Sequence, residues 1–120
     1  MQDQLKSRTK KFALHVLDLV EKFPNLTAAR VISYQLVKSA TSIGANYRAA
    51  CRARSDNEFI SKLQIVLEEA DESGYWLELV KEKAWIEVDS LLKEANELTA
   101  IFAKTLITMK SKKSKNHPKI

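Results

Sequence analysis

Residues 39–59 read SATSIGANYRAACRARSDNEF, and the fold follows from how this stretch divides. Up to Arg54 the chain sets Ala40, Ile43, Tyr47 and Ala50 at steps of three and four, the spacing of one face of an α-helix. Ser55-Asp56-Asn57-Glu58 then has the form of a capping box, in which the serine side chain and Glu58 satisfy each other's otherwise unpaired backbone donors at the start of a new helix. A helix stop followed at once by a helix start makes a helical hairpin. Its first arm carries Arg48, Arg52 and Arg54, with no acid before Asp56, among side chains as small as Ser, Ala, Thr and Gly.

The first arm extends back through Leu36 and Ile32 to Thr27, a residue suited to cap it. The second runs forward through Phe59, Leu63, Val66, Ala70, Ser73, Leu77 and Val80 and fades around Lys83 to Trp85. Each arm is about 40 Å long at the rise of an α-helix. Upstream, Leu5, Phe12, Val16, Leu19, Val20 and Phe23 form one stripe that stops at Phe23-Pro24-Asn25. Downstream, Val88, Leu91, Ala95, Leu98, Phe102, Leu106 and Met109 mark a fourth helix. The spacing therefore predicts an all-α, antiparallel up-down-up-down four-helix bundle over residues 1–109. Residues 110–120, KSKKSKNHPKI, lose the apolar period and read as a frayed basic tail.

At 120 residues the chain has room for one domain. Its single cysteine, Cys51, cannot form an internal disulfide, and there is neither a basic-then-apolar leader nor an apolar run of membrane length. The expectation is a soluble, cytoplasmic protein with no membrane partner. Chemistry is equally constrained. A bundle di-iron site needs Glu-x-x-His on two helices, yet Phe12 and Ser114 stand three residues before His15 and His117. One Cys and two distant His do not make a zinc site, and Gly44 and Gly74 stand alone rather than in a phosphate loop. Cys51 flanks the buried face and has no histidine near it in sequence, so it reads as inert. The sequence predicts no cofactor, no metal and no catalytic activity.

The net charge of +5 is unevenly placed. Residues 1–11 carry Lys6, Arg8, Lys10 and Lys11 against Asp3, and residues 110–120 carry five lysines and no acid, which leaves residues 12–109 at −3. Inside the hairpin the two arms are opposite. Thr27–Arg54 has Arg30, Lys38, Arg48, Arg52 and Arg54 and no acid, whereas Asp56–Lys83 has eight acids against three lysines. With Ile43 pointing inward, Arg30, Lys38, Arg48 and Arg52 fall within about 40° of the outward direction. Thr41, Ala45 and Ala49 share that face. Small residues there let another backbone approach, and on the second arm Ile65, Tyr75 and Leu79 point away from the main stripe among Glu68 and Glu72. A second, part-apolar face implies a homo-oligomer with these six residues at its interface. Arginine's fork suits carboxylate and phosphate alike, so pairing with the acidic arm and contact with nucleic acid both stay open.

Two segments carry a family resemblance. KKFALHVLDLVEKFP (residues 10–24) and YQLVKSATSIGANYRAACRARSDNEFISKLQIVLEEADES (residues 34–73), followed by a fourth helix, resemble the bacterial four-helix bundle proteins first noticed in intervening sequences of large-subunit ribosomal RNA genes. The likeness spans about residues 8–108. It implies a homopentamer. The accessory variability protein of diversity-generating retroelements is similar to this family, and through it the resemblance also implies a basic surface that binds RNA or DNA, with a reverse transcriptase as partner where one is encoded nearby. One departure is local: many members read NIAEG where this chain has NYRAA, so Arg48 makes the second helix more basic.

The leading expectation is thus a non-enzymatic, homo-oligomeric nucleic-acid-binding protein. Arg30, Lys38, Arg48 and Arg52 would contact phosphates, and Lys110, Lys112, Lys113 and Lys115 would add non-specific attraction. The alternative is a protein-interaction scaffold that presents the third helix's acids with Tyr75, Trp76 and Leu79 to a basic partner.

Overall fold

The turn at Ser55 forms as the sequence predicts, with one shift of partner. Ser55 Oγ accepts the N–H of Glu58 at 3.1 Å, while the Glu58 carboxylate accepts the N–H of Arg54 at 3.2 Å, one residue earlier than a reciprocal box requires. The computed structural model describes residues 1–115, and in them the chain forms α1 (Gln2–Val20), α2 (Thr27–Cys51), α3 (Asp56–Lys83) and α4 (Asp89–Lys115). Helix α2 ends three residues short of Arg54, because Arg52 turns its N–H back onto the carbonyls of Ala49 and Ala50.

The start of α2 corrects the sequence reading. Thr27 is the first helical residue, and the cap is Leu26 in extended conformation with no side-chain hydrogen bond. Pro24 sets this position: its carbonyl accepts the Leu26 N–H at 2.9 Å, and Leu26 in turn accepts from Arg30 at 3.0 Å. The turn between α3 and α4 is closed by Ala84 in the left-handed region (φ 56°, ψ 35°). Ala84 and Trp85 donate to Lys81 and Val80, a Schellman arrangement in which alanine stands where glycine is preferred. Helix α4 continues beyond Met109, where the apolar stripe ends, to Lys115, and residues 110–114 are all exposed.

Each consecutive pair of helices runs antiparallel. Gly44 of α2 meets Thr9 of α1, Ser39 meets Ser73 of α3, and Gly74 lies beside Ala95 and Asn96 of α4. The ring closes between α1 and α4 over a smaller contact. There Arg8 holds Glu94 through two hydrogen bonds of 2.9 and 2.6 Å and Glu97 through a third of 2.7 Å. The resulting bundle measures 60 × 23 × 21 Å.

The inward stripes fill the core as their spacing requires. Phe12, Leu36, Ile43, Leu63, Leu77, Leu98 and Phe102 are fully buried, with the Tyr47 and Phe102 rings 5.4 Å apart across the bundle. Three hydroxyls share this interior. Thr9 donates to the Leu5 carbonyl at 2.8 Å, and the Ser73 hydroxyl bonds Ser39 Oγ at 2.8 Å while reaching the Glu69 carbonyl at 2.9 Å. Small side chains here let α2 and α3 pack closely, but each hydroxyl must keep a partner. Ser39→Ala or Ser73→Ala alone is expected to cost about 1 kcal/mol, and the double substitution less than the sum of the singles, because it removes both ends of one bond. Urea unfolding of the three variants measures this coupling.

Candidate functional site

Helices α1 and α2 approach so closely at Gly44 that a Cβ there would lie 3.1 Å from Thr9 Oγ1. Above this contact lies a groove of about 700 Å³, floored by Ser7, Thr9, Ala13, Thr41, Gly44 and Ala45. Lys6 and Lys10 line it from α1, and Arg48 and Arg52 from the α2 side. On each wall the two cations are four residues apart, one helical turn. No acid lines the groove, and none of the four cations forms an ion pair among the described residues. Arg8 differs, since its hydrogen bond to Glu94, opposed by burial and aided by the charges of Glu94 and Glu97, holds the guanidinium above its usual range.

The up-and-down path concentrates charge further. It brings the start of α1, the end of α2 and the end of α4 to one end of the bundle. Lys6, Lys10, Arg48, Arg52 and the exposed Lys110, Lys112 and Lys113 therefore lie at a common pole, although they are scattered along the chain. The side chain of Lys115, and residues 116–120 with His117, lie outside the described residues.

Among the residues expected to contact phosphate, the structure separates two groups. Arg48 and Arg52 line the groove. Arg30 sits at the far end of α2, tied to Asn25 at 2.8 Å and Thr27 at 3.2 Å, and Lys38 is exposed outside the groove lining, where its charge acts on Glu69. Burial pushes the Glu69 carboxyl up, its neighbours Glu72 and Glu68 add to this, and Lys38 opposes them. The expected pairing of the basic and acidic arms is not made inside the chain: none of Arg30, Lys38, Arg48, Arg52 and Arg54 makes an ion pair with an acid of α3 among the described residues.

The six residues expected at an oligomer interface also divide. Thr41 and Ala45 belong to the groove floor, whereas Ala49 does not line it. On α3, Ile65 and Tyr75 are exposed and Leu79 is half-buried. Sequence reasoning missed Lys6 and Lys10 as site residues. Their signal was the four-residue spacing beside Thr9, a polar position on the inward stripe of α1.

Nothing else in the described residues assembles a reactive centre. No group of three or more His, Cys, Asp or Glu is placed to hold a metal ion, and no helix is long and apolar enough to cross a membrane. Cys51 is a half-buried free thiol; burial foremost, and then Cys51 itself, pushes the neighbouring Tyr47 phenol up. A second cavity, about 570 Å³, lies at the same pole among Leu5, Tyr47, Phe59, Ile101 and Phe102, with a mostly apolar lining.

With the fold and groove in place, comparison with known proteins is decisive for the family. The family model described as 23S rRNA-intervening sequence protein matches residues 2–104. The chain belongs to the 23S rRNA-intervening sequence protein family. This intervening-sequence protein is also similar to a crystal structure from Bacteroides thetaiotaomicron, described as a protein with unknown function from the S23 ribosomal protein family. The two are 34% identical with a TM-score of 0.79, over 88% of this chain and 98% of the other. No curated protein matches.

Proposed function

We propose that this member of the family is a non-enzymatic nucleic-acid-binding protein, and that the α1–α2 groove receives the sugar-phosphate backbone of RNA or DNA. One observation carries the reading: Lys6, Lys10, Arg48 and Arg52 surround a groove that holds no acid, and none of them forms an ion pair, among the described residues. Unpaired cations on a shared concave surface attract phosphate and release its counterions, a gain that needs no base-specific contact. The groove lining contains no aromatic residue, so it reads backbone rather than sequence.

The protein works as a cytoplasmic homo-oligomer, a pentamer by family resemblance, associating through Ala49, Ile65, Tyr75 and Leu79 on the outer side of α2 and α3. A reverse transcriptase, where one is encoded nearby, is the further partner that the resemblance adds. Lys110, Lys112 and Lys113 supply long-range attraction at the same pole.

Fluorescence anisotropy of a labelled structured RNA across a salt series tests the proposal, with the full chain and a version ending at Met109. Binding is expected to survive truncation with a log–log salt slope of about −3, as four phosphate contacts require. Binding that disappears with the tail, or never appears at moderate salt, would overturn it. The better reading would then be a scaffold that offers the acids of α3, around the half-exposed Tyr75, to a basic protein.

A further inference from the structure

Helix α2 carries its outward stripe beyond the groove. Tyr34 is 66% exposed and lies on the outward stripe that continues through Lys38, Thr41, Ala45, Arg48 and Arg52 at steps of three and four. The register set by Gly44 and Thr9 places Leu17 of α1 at the height of Tyr34 and its neighbours, and Leu14 and Leu17 are both exposed. The groove is thus cationic at the pole, and beyond its lining the same outward stripe of α2 carries an exposed tyrosine, with exposed leucines on α1 at a similar height.

We infer that the groove and the stripe beyond it take a single strand of nucleic acid, with phosphates among Lys6, Lys10, Arg48 and Arg52 and an unpaired base stacked on Tyr34. The inference rests on the nucleic-acid reading above and adds the form of the ligand. Tyr34 and Arg48 stand fourteen positions apart on α2, about 21 Å of helix. That length suits a short run of nucleotides and falls well below a duplex turn of about 34 Å. Packed helices lie about 8–10 Å apart, so a groove between two of them admits one backbone. A duplex hides its base faces in its own stack. A single strand exposes them, and an aromatic ring in line with a row of cations is the arrangement that binds such a strand without regard to sequence.

The test uses the full chain and three labelled probes: a short unstructured RNA, a duplex of the same sequence, and an abasic strand of equal length. Tyr34→Ala is expected to weaken binding of the unstructured RNA about tenfold while leaving the duplex and the abasic strand unchanged, and Tyr34→Phe should behave as the parent protein does. Sedimentation of Tyr34→Ala should give the parent's mass. Equal loss on all three probes, no loss on the unstructured RNA, or a changed mass would each overturn the stacking role, the last by assigning Tyr34 to a subunit contact. If the parent chain binds no probe even at low salt, the groove proposal fails together with this one. If the probes bind but Tyr34→Ala is silent, only the single-strand inference fails.

Discussion

Replacing Lys6, Lys10, Arg48 and Arg52 together with alanine is expected to weaken RNA binding about 600-fold at 0.1 M salt, because each lost phosphate contact on a single strand removes about 0.7 of a logarithmic unit per decade of salt below 1 M. The salt slope should fall from about −3 toward zero over the same change. Arg48→Ala with Arg52→Ala alone should give about 25-fold and a slope shallower by about 1.4. The contrast that gives the experiment its force is Arg30→Ala with Lys38→Ala, which removes as much charge from the same helix but touches no groove residue. That pair is expected to cost at most a few-fold, well below the loss from Arg48→Ala with Arg52→Ala, since Lys38 stands on the stripe toward Tyr34 but outside the groove. Circular dichroism should stay helical in every case: among the described residues the four groove cations carry no ion pair whose loss would strand a buried charge, and alanine is the better helix former. Equal losses from the two double variants would mean that net charge, and not the groove, sets binding.

The contrast also measures what the sequence made legible. Periodicity placed the four helices and most of their buried residues, since a stripe such as Leu63, Val66, Ala70, Ser73, Leu77 and Val80 has one inward solution. Helix ends were less legible. Thr27 is a good cap by residue type, but the Pro24 carbonyl seizes the Leu26 N–H and starts the helix one residue early. The site was legible only by halves. Angles on a single helix group Arg30 and Lys38 with Arg48 and Arg52, because a helical wheel has no length. The distinction between them lies along the axis: the groove occupies the pole, and Arg30 is at the opposite end of α2. Lys6 and Lys10 join Arg48 and Arg52 only through the antiparallel register of α1 on α2, which Gly44 against Thr9 fixes. The same register sets Thr41 and Ala45, read as small residues awaiting another subunit, on the floor between two rows of cations.

Phe102→Ala is the substitution expected to cost most in stability, about 3–5 kcal/mol, lowering the melting temperature by roughly 10–20 °C. Phe102 has no exposure, and its ring is the α4 partner of Tyr47 on α2, so the side chain ties two diagonal helices through the centre of the core. Few other anchors hold this part of α4. Beyond Phe102 only Leu106 is buried among the described residues, and the α1–α4 contact that would otherwise secure it is the smallest in the bundle. Phe102→Leu keeps most of the volume and should cost under about 1.5 kcal/mol, which distinguishes a cavity from the loss of a particular ring contact. Function supplies a second readout. Neither wall of the groove comes from α4, so the alanine variant should bind RNA with parental affinity and salt slope at temperatures where circular dichroism shows it folded. A variant that is folded yet has lost RNA binding would place part of the binding surface on α4, and would move the site from the α1–α2 groove to the cavity that Phe102 itself lines with Leu5, Tyr47 and Phe59.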